Sequence, residues 1–218
     1  MSKKDFLDEK IIEMIDEVEQ PALPVEESEA EEEVKPEERT IYTGLKIMGK
    51  WVYFEERLLV EEKITMMVPE AFEEMSNEVA RIKYPSEDRP NLILTDQTTA
   101  MNLMFNHMDQ EIKNENVEDL RDQVINGMTR LNPGIKTQGQ GVEVISDRNV
   151  AYVEFTNPAL DGKLYNLMYF LELEGRSLMV SFNCQTKNIK YWKEAAFEMM
   201  HSIKIVQDSN QEEGEIDE

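Results

Sequence analysis

The stretch from Lys163 to Cys184 constrains the fold of this chain more than any other. Alternate residues of its first half are large and apolar, and the same alternation continues after Glu174-Gly175-Arg176. Period-two alternation that is rich in aromatic residues and interrupted by one glycine is typical of a half-buried antiparallel hairpin. A helical pattern that carries Trp192 follows directly. The sequence therefore predicts an α+β fold in which a central antiparallel sheet is flanked by helices.

The net charge of −23 is concentrated at the two ends of the chain. Residues 1–40 hold 15 acidic and 5 basic side chains, and residues 207–218 hold 6 acidic and no basic ones. We therefore expect an acidic N-terminal segment (1–40), an α+β domain (41–206) and an acidic disordered tail (207–218). This charge repels a phosphate backbone, which argues against nucleic acid as a partner. Anionic membrane surfaces are disfavoured for the same reason.

The sequence shows no sign of export or of membrane insertion. Cys184 is the single cysteine, so an intrachain disulfide is impossible. The first ten residues lack the pattern of a secretory signal, and no run approaches the roughly 18 apolar residues of a membrane span. The cytoplasm is the expected compartment.

The N-terminal segment contains one amphipathic pattern. Leu7, Ile11 and Ile15 lie at helical spacing, which predicts a short helix over Asp5–Val18. Prolines and glutamates without any apolar period follow in Pro21–Glu38 and predict a disordered linker. The helix is interpreted either as a tethered docking element for a partner or as a segment that folds back on its own domain or frays.

The remaining elements follow from hydrophobic periodicity and turn residues. One helix is predicted to open at Pro69 and to bury Phe72, Met75 and Val79. Another is predicted over Asn116–Leu131, with Glu118 and Asp119 in its first turn, and the last carries Trp192. The predicted apolar side of the Asn116–Leu131 helix consists of Val117, Leu120, Val124, Met128 and Leu131. The remaining predicted strands are Gly44–Met48, Trp51–Leu59, Glu62–Val68, Asn91–Thr95, Thr99–Met108, Ile135–Ser146 and Asn149–Thr156.

A few residues mark particular points in this order of elements. Val68-Pro69-Glu70 and Phe72 lie early in the chain, and Gly175-Arg176, Trp192 and Ser202-Ile203-Lys204-Ile205 lie late. From Glu62 to Ile205 the arrangement resembles the PsbP-like fold, which photosystem II extrinsic proteins, Ran-release factors and Eag-type secretion chaperones share. No motif assigns a subfamily. The resemblance implies an antiparallel sheet flanked by helices and a function through protein partners. No position matches a family contact motif, so no binding residue is carried over.

Catalytic, cofactor and metal sites are not expected. Cys184 with His107 or His201 is the one possible pair of thiol and base, and the alternation places Cys184 in the core, where a thiol is inert. Two histidines and one cysteine without close spacing do not predict a metal site. Gly139-Gln140-Gly141 resembles half of a phosphate loop, but no helix opens after it, which favours a bend or bulge.

Methionine is abundant, with 14 copies, and several lie on the second face of the central strands. Flexible thioethers among amides and hydroxyls suit a surface that adapts to apolar partners. The alternative is a helix that covers this face as a second core layer, and partial cover would leave a groove. The residues of this face are Asn102, Met104, Asn106, Met108, Asn166, Met168, Phe170, Ser177, Met179, Ser181 and Asn183.

The sequence thus predicts a non-enzymatic protein-binding module, adaptor or chaperone-like. The alternative is a small-molecule or lipid-binding domain, or an unrecognised enzyme, with a cavity beneath the sheet. A third interpretation lets the N-terminal helix occupy the groove itself. The predicted partner-binding residues are Met104, Met108, Met168, Phe170 and Met179 on the sheet, and Leu7, Ile11 and Ile15 on the N-terminal helix.

Overall fold

The computed structural model describes residues 39–87, 89–159 and 162–206. Within these ranges the strands are β1 (Leu45–Ile47), β2 (Lys50–Val52), β3 (Phe54–Leu59), β4 (Ile64–Pro69), β5 (Glu73–Glu74), β6 (Leu92–Thr95), β7 (Asn102–Glu111), β8 (Lys136–Ile145), β9 (Arg148–Ala159), β10 (Gly162–Leu173), β11 (Arg176–Gln185) and β12 (Lys204–Ile205). The helices are α1 (Asn77–Lys83), α2 (Val117–Leu131) and α3 (Ile189–His201). The predicted N-terminal helix, its linker and the acidic tail lie outside the described residues, so the division at 40 and 206 stays a prediction.

Seven strands form one antiparallel sheet in the order β5-β6-β7-β11-β10-β9-β8. Its long central pair, β10 and β11, closes where Leu173 faces Arg176. The two turn residues, Glu174 and Gly175, both have positive φ, at 52° and 77°. Two left-handed residues make the turn whose twist matches that of paired strands. The predicted late hairpin is confirmed.

One face of this sheet forms the main core. The alternating residues of β10, among them Tyr165 and Tyr169, are buried there beneath α3 and a second sheet in the order β12-β4-β3. Trp192 of α3 lies beside both Phe72 and Phe182, with ring centroids 6.1 Å and 5.8 Å away. Large aromatic rings bury more apolar area than any other side chains, so this contact fixes α3 on the sheet.

The end of α3 is joined to the second sheet through Ser202. Its buried hydroxyl accepts a hydrogen bond from the Met67 amide at 2.9 Å and donates one to the Met199 carbonyl at 2.7 Å. The Ser202 side chain thus satisfies both the Met199 carbonyl, which has no partner within the helix at its C-terminal end, and the Met67 amide of β4. The connection sets the position at which β12 joins β4.

Helices α1 and α2 cover the opposite face of the seven-stranded sheet. Met104 and Met168 both flank Ser181 in the strand register, so they belong to one row on this face. Met104 packs in a cluster with Ala80 of α1, and Met168 in a cluster with Leu120 of α2. Layers on both faces agree with the predicted α+β class, a sheet flanked by helices.

The prediction that a helix opens at Pro69 is wrong. Pro69 ends β4 opposite Phe54, where the missing N–H of proline falls at the end of a ladder. The helix begins later, after Ser76, whose hydroxyl accepts a hydrogen bond from the Val79 amide at 3.4 Å. Phe72 therefore precedes the helix, and Val79 is exposed rather than buried.

Helix α2 covers the predicted range, but its buried stripe is rotated. Arg121 is only 1% exposed, whereas Leu131, predicted on the apolar side, is 90% exposed. The Arg121 guanidinium donates to the Gly141 carbonyl at 3.0 Å and pairs with Glu118 at 3.1 Å and Asp122 at 2.7 Å. These partners satisfy the buried charge, which explains how an arginine occupies an inward position.

Strand β8 contains a bulge that ends at Gly139, as the sequence predicts, whereas Gly141 lies in regular register. The register with β9 shifts between Thr137 and Gly139. A Cβ on Gly139 would lie 2.8 Å from Glu154 Oε1, and one on Gly141 would lie 2.8 Å from Tyr152 Oη. The side chains of β9 occupy the space that β8 side chains would need, so a Cβ at either position would force Glu154 or Tyr152 to move.

Candidate functional site

The predicted binding face begins with a row of hydrogen-bonded polar side chains. Thr95 Oγ1 donates to Asn102 Oδ1 at 2.9 Å, and Asn102 Nδ2 donates to Asn183 Oδ1 at 2.9 Å. All three residues are buried. Their polar groups therefore satisfy one another within the protein, as buried amides must.

The C-terminal end of α1 closes this row. Lys83 Nζ donates to Asn102 Oδ1 at 3.4 Å, and Tyr84 bonds Asn183. Burial raises the pKa of Tyr84 and lowers the pKa of Lys83, because each charged form loses contact with water. The end of α1 covers this part of the face, and the polar groups there form hydrogen bonds within the protein.

The five predicted methionine-face residues fall into three environments. Met104 is buried under α1, and Met168 and Phe170 are buried under α2. Met108 and Met179 are only partly buried and pack against the edge of the α2 cluster. No contact seen here tests their predicted role, so partner binding at these residues stays a prediction. Leu7, Ile11 and Ile15 lie outside the described residues.

Where α2 leaves the sheet incompletely covered, a groove of about 990 Å³ opens. Its floor includes Ile112 and Leu120, which belong to the same apolar cluster as Met108 and Met179. The Ile112 amide donates to the Gly175 carbonyl at 3.0 Å, which ties the end of β7 to the β10–β11 turn. We call this feature the α2 groove.

The walls of the α2 groove are acidic. Two basic side chains, Lys113 and Arg176, line it beside five carboxylates. Arg176 Nη1 already pairs with Asp109 at 2.9 Å. The excess of negative charge in a cleft attracts cations and basic segments. The five acidic residues are Asp109, Glu111, Glu115, Asp119 and Glu174.

Sequence reasoning missed the α2 groove because its walls come from three separate segments. The end of β7, the start of α2 and the β10–β11 turn meet there only in the folded sheet. The run from Asp109 to Asp119 contains most of the acids and was the available signal. Two of the five acids had been placed: Asp119 in the first turn of the helix, where it complements the helix dipole, and Glu174 at the turn of the late hairpin.

A smaller pocket of about 430 Å³ lies at the same end of the molecule. His107 Nε2 lies 3.1 Å from the Leu173 carbonyl, so it donates, and His107 Nδ1 accepts from Arg176 Nη2 at 3.1 Å. Leu92 and Val60 add apolar surface. The polar groups of this pocket thus bond mainly to one another.

The thiol and the two imidazoles lie in separate settings. Cys184 is fully buried, and burial raises the pKa of its thiol to about 12. His201 Nε2 bonds Glu143 Oε2 at 2.6 Å, and His107 bonds Leu173 and Arg176. The thiol therefore stays protonated and unreactive at neutral pH.

The described part of the chain contains neither a group of metal ligands nor a helix suited to cross a membrane. Among residues 39–87, 89–159 and 162–206, no three histidine, cysteine or carboxylate side chains group as metal ligands do. Across the same residues, each helix is too short or too polar to cross a bilayer.

Comparison with solved structures identifies the fold. The solution structure of cyanobacterial PsbP (CyanoP) from Synechocystis sp. PCC 6803 aligns over 70% of this chain and 92% of that chain, at 10% identity and a TM-score of 0.53. LpqN of Mycobacterium tuberculosis, involved in cell envelope biogenesis, aligns over 78% and 98%, at 12% identity and a TM-score of 0.46. The immunity protein TplEi of Pseudomonas aeruginosa, complexed with "L" peptide, aligns over 66% and 58%, at 12% identity and a TM-score of 0.38.

The chain has the PsbP-like fold, and the resemblance seen in the sequence is confirmed. No family model matches the chain, and no curated protein does. At 10% identity the CyanoP structure defines the architecture and carries no functional residue over to this chain.

Proposed function

We propose that this protein is a non-enzymatic protein-binding module, adaptor or chaperone-like, whose α2 groove receives a segment of a partner protein. The main support is the groove of about 990 Å³ that opens where α2 ends its cover of the sheet. Its floor residues Ile112 and Leu120 belong to the apolar cluster that also contains the partly buried Met108 and Met179. Adaptable thioethers beside an apolar floor suit a partner's apolar side chains.

The negative charge of the α2 groove indicates which charge the partner segment carries. Five carboxylates and two bases line it, so the bound segment carries lysine or arginine beside its apolar residues. Asp109, Glu111 and Glu115 lie on the rim, where charge mainly steers encounter and sets the association rate. Binding is therefore expected to weaken with salt.

We propose no catalytic role for the protein, because its one thiol, that of Cys184, is buried and stays protonated. The proposed compartment is the cytoplasm, where an unpaired thiol stays reduced.

Charge reversal on the rim tests the proposal. The probe is a fluorescent synthetic peptide of alternating leucine and lysine, and the readout is fluorescence anisotropy with the full chain. Glu111→Lys with Glu115→Lys should weaken binding about tenfold or more, since four units of charge change beside a cationic ligand. The matched control is Glu87→Lys with Glu194→Lys, which makes the same charge change on exposed residues outside the groove. Equal loss in both variants, or no binding by the unaltered chain, would refute the groove as the site.

A small-molecule site is the second candidate, and backbone geometry at the 430 Å³ pocket supports it. Val60 lines that pocket with φ at 55°, a conformation that β-branched residues rarely adopt. Such strain is concentrated at ligand sites more than elsewhere. Leu92→Trp should fill the pocket, so a compound that raises the melting temperature of the unaltered chain but not of this variant would favour this candidate. Compounds that stabilise both alike would reject it.

A further inference from the structure

The β1–β2 hairpin exposes the densest group of large apolar side chains in the described part of the chain. Tyr42 is 64% exposed, Met48 55%, Trp51 48% and Tyr53 53%. The rings of Trp51 and Tyr53 stack, with centroids 6.2 Å apart and planes at 16°. Exposed apolar side chains in a contiguous patch mark a contact surface more often than chance. We call residues 39–53 the aromatic hairpin.

The aromatic hairpin is also basic, although the chain as a whole carries a large negative charge. Residues 39–53 contain Arg39, Lys46 and Lys50 and no acidic residue, in a chain with a net charge of −23. The Arg39 guanidinium lies 4.8 Å from the Trp51 ring centroid. Arg39 beside the Trp51 ring and Lys46 opposite Trp51 in the strand register place positive charge next to the stacked rings. This combination fits an extended acidic polypeptide, which gains charge pairing and apolar contact together.

The hairpin is held in place by the body of the protein. Ile41 is buried, and its amide donates to Glu198 Oε2 of α3 at 2.8 Å. The Tyr53 carbonyl accepts from the Glu70 amide at 3.0 Å. A surface fixed at both ends loses little conformational entropy when a ligand binds.

The chain itself supplies an acidic segment within reach. Residues 207–218 hold six acidic side chains and no basic one, and they follow Val206 directly. Lys204, two residues earlier, lies within electrostatic range of Tyr42. Ile205 pairs with Ile64 at one end of β4, and Phe54, which follows Tyr53, pairs with Pro69 at the other end. The length of β4, about 17 Å, therefore separates the start of the segment from Tyr53. Twelve residues span up to about 40 Å.

We propose that residues 207–218 dock on the aromatic hairpin, with their carboxylates against Arg39, Lys46 and Lys50 and their backbone across Trp51 and Tyr53. The segment then shields the exposed rings and neutralises the positive charge of the hairpin. The contact is independent of the α2 groove. Single-stranded nucleic acid also suits basic aromatic surfaces, but the net charge of the chain opposes it.

Tryptophan fluorescence reads this contact directly in the full chain. The chain has two tryptophans, Trp51 at 48% exposure and Trp192 at 3%. Acrylamide therefore quenches Trp51 selectively. The test variant replaces the acids at 208, 212, 213, 215, 217 and 218 by their amides, which keeps the length of the segment. The matched control replaces the six glutamates at 26, 27, 29, 31, 32 and 33 by glutamine.

The proposal predicts a larger quenching constant for Trp51 in the test variant and an unchanged constant in the control. Lys46→Gln with Lys50→Gln should give the same increase, and combining both sets should add nothing further. Salt at 0.5 M should reproduce the increase in the unaltered chain. An unchanged constant in the test variant, an increase in the control instead, or shielding of Trp51 only by added oligothymidylate would overturn the proposal.

Discussion

Raising the pH above 9 should destabilise this protein through the thiol of Cys184. Burial raises the pKa of that thiol to about 12, against 9.0 for an exposed one. The unfolded chain loses the proton near pH 9 while the folded chain keeps it, so the unfolded state binds fewer protons. The free energy of unfolding therefore falls as pH rises, by about 1.4 kcal/mol per unit for one proton. The loss starts near pH 9 and ends near pH 12.

The measurement is best confined to pH 8–10. Burial also raises the pKa of Tyr165 and of Tyr169, so further protons contribute above pH 10. Between pH 8 and pH 10 the thiol alone accounts for a loss of about 1.4 kcal/mol. Urea unfolding, followed by the fluorescence of buried Trp192, gives the free energy of unfolding at each pH.

Cys184→Ala is the control, since it removes the titrating group and little volume. The free energy of unfolding of the unaltered chain should fall about 1.4 kcal/mol further than that of the variant between pH 8 and pH 10. Parallel pH profiles would refute the reasoning, because they would mean that the folded thiol ionises as an exposed one does.

Two further predictions concern stability at neutral pH, and urea unfolding checks both. Ser202→Ala leaves the buried Met67 amide without its acceptor and should lower the free energy of unfolding by about 1–3 kcal/mol; a loss near zero would mean that the joint between α3 and β4 is unimportant. Gly127→Ala places a Cβ in open space within α2 and should stabilise by about 0.5–1 kcal/mol. Gly141→Ala forces Tyr152 to move and should destabilise by about 1–3 kcal/mol, so equal effects of the two glycine substitutions would contradict the geometry.

Period-two alternation predicted the sheet well because one face of each central strand packs large apolar residues in the main core, while the other face carries amides, hydroxyls and methionines. The β10–β11 hairpin, its turn at Glu174–Gly175 and the burial of Cys184 all follow from that pattern. The helical stripe of α3 was equally clear, because Trp192 and its helical neighbours have no polar competitor on that side. These elements carry the PsbP-like architecture.

The second layer was harder to predict because polar residues line it. Arg121 takes an inward position through bonds to Gly141, Glu118 and Asp122, and a hydrophobic pattern cannot reveal such partners. The sequence also did not show how far the helices cover this face. Met104 and Met168 are buried under helices and Met108 and Met179 only partly, yet all four occupy the same face of the strand pattern. The α2 groove depends on that tertiary difference.

Methionine methyl spectroscopy tests the central claim, binding at the α2 groove, most directly. The full chain of 25.5 kDa carries 14 methionines that can be labelled with ¹³C at the methyl group. Titration with the leucine–lysine peptide should shift the signals of Met108 and Met179, while Met66 in the main core stays unchanged. Shifts confined to Met48 on the aromatic hairpin, or no shift at either Met108 or Met179, would contradict the account.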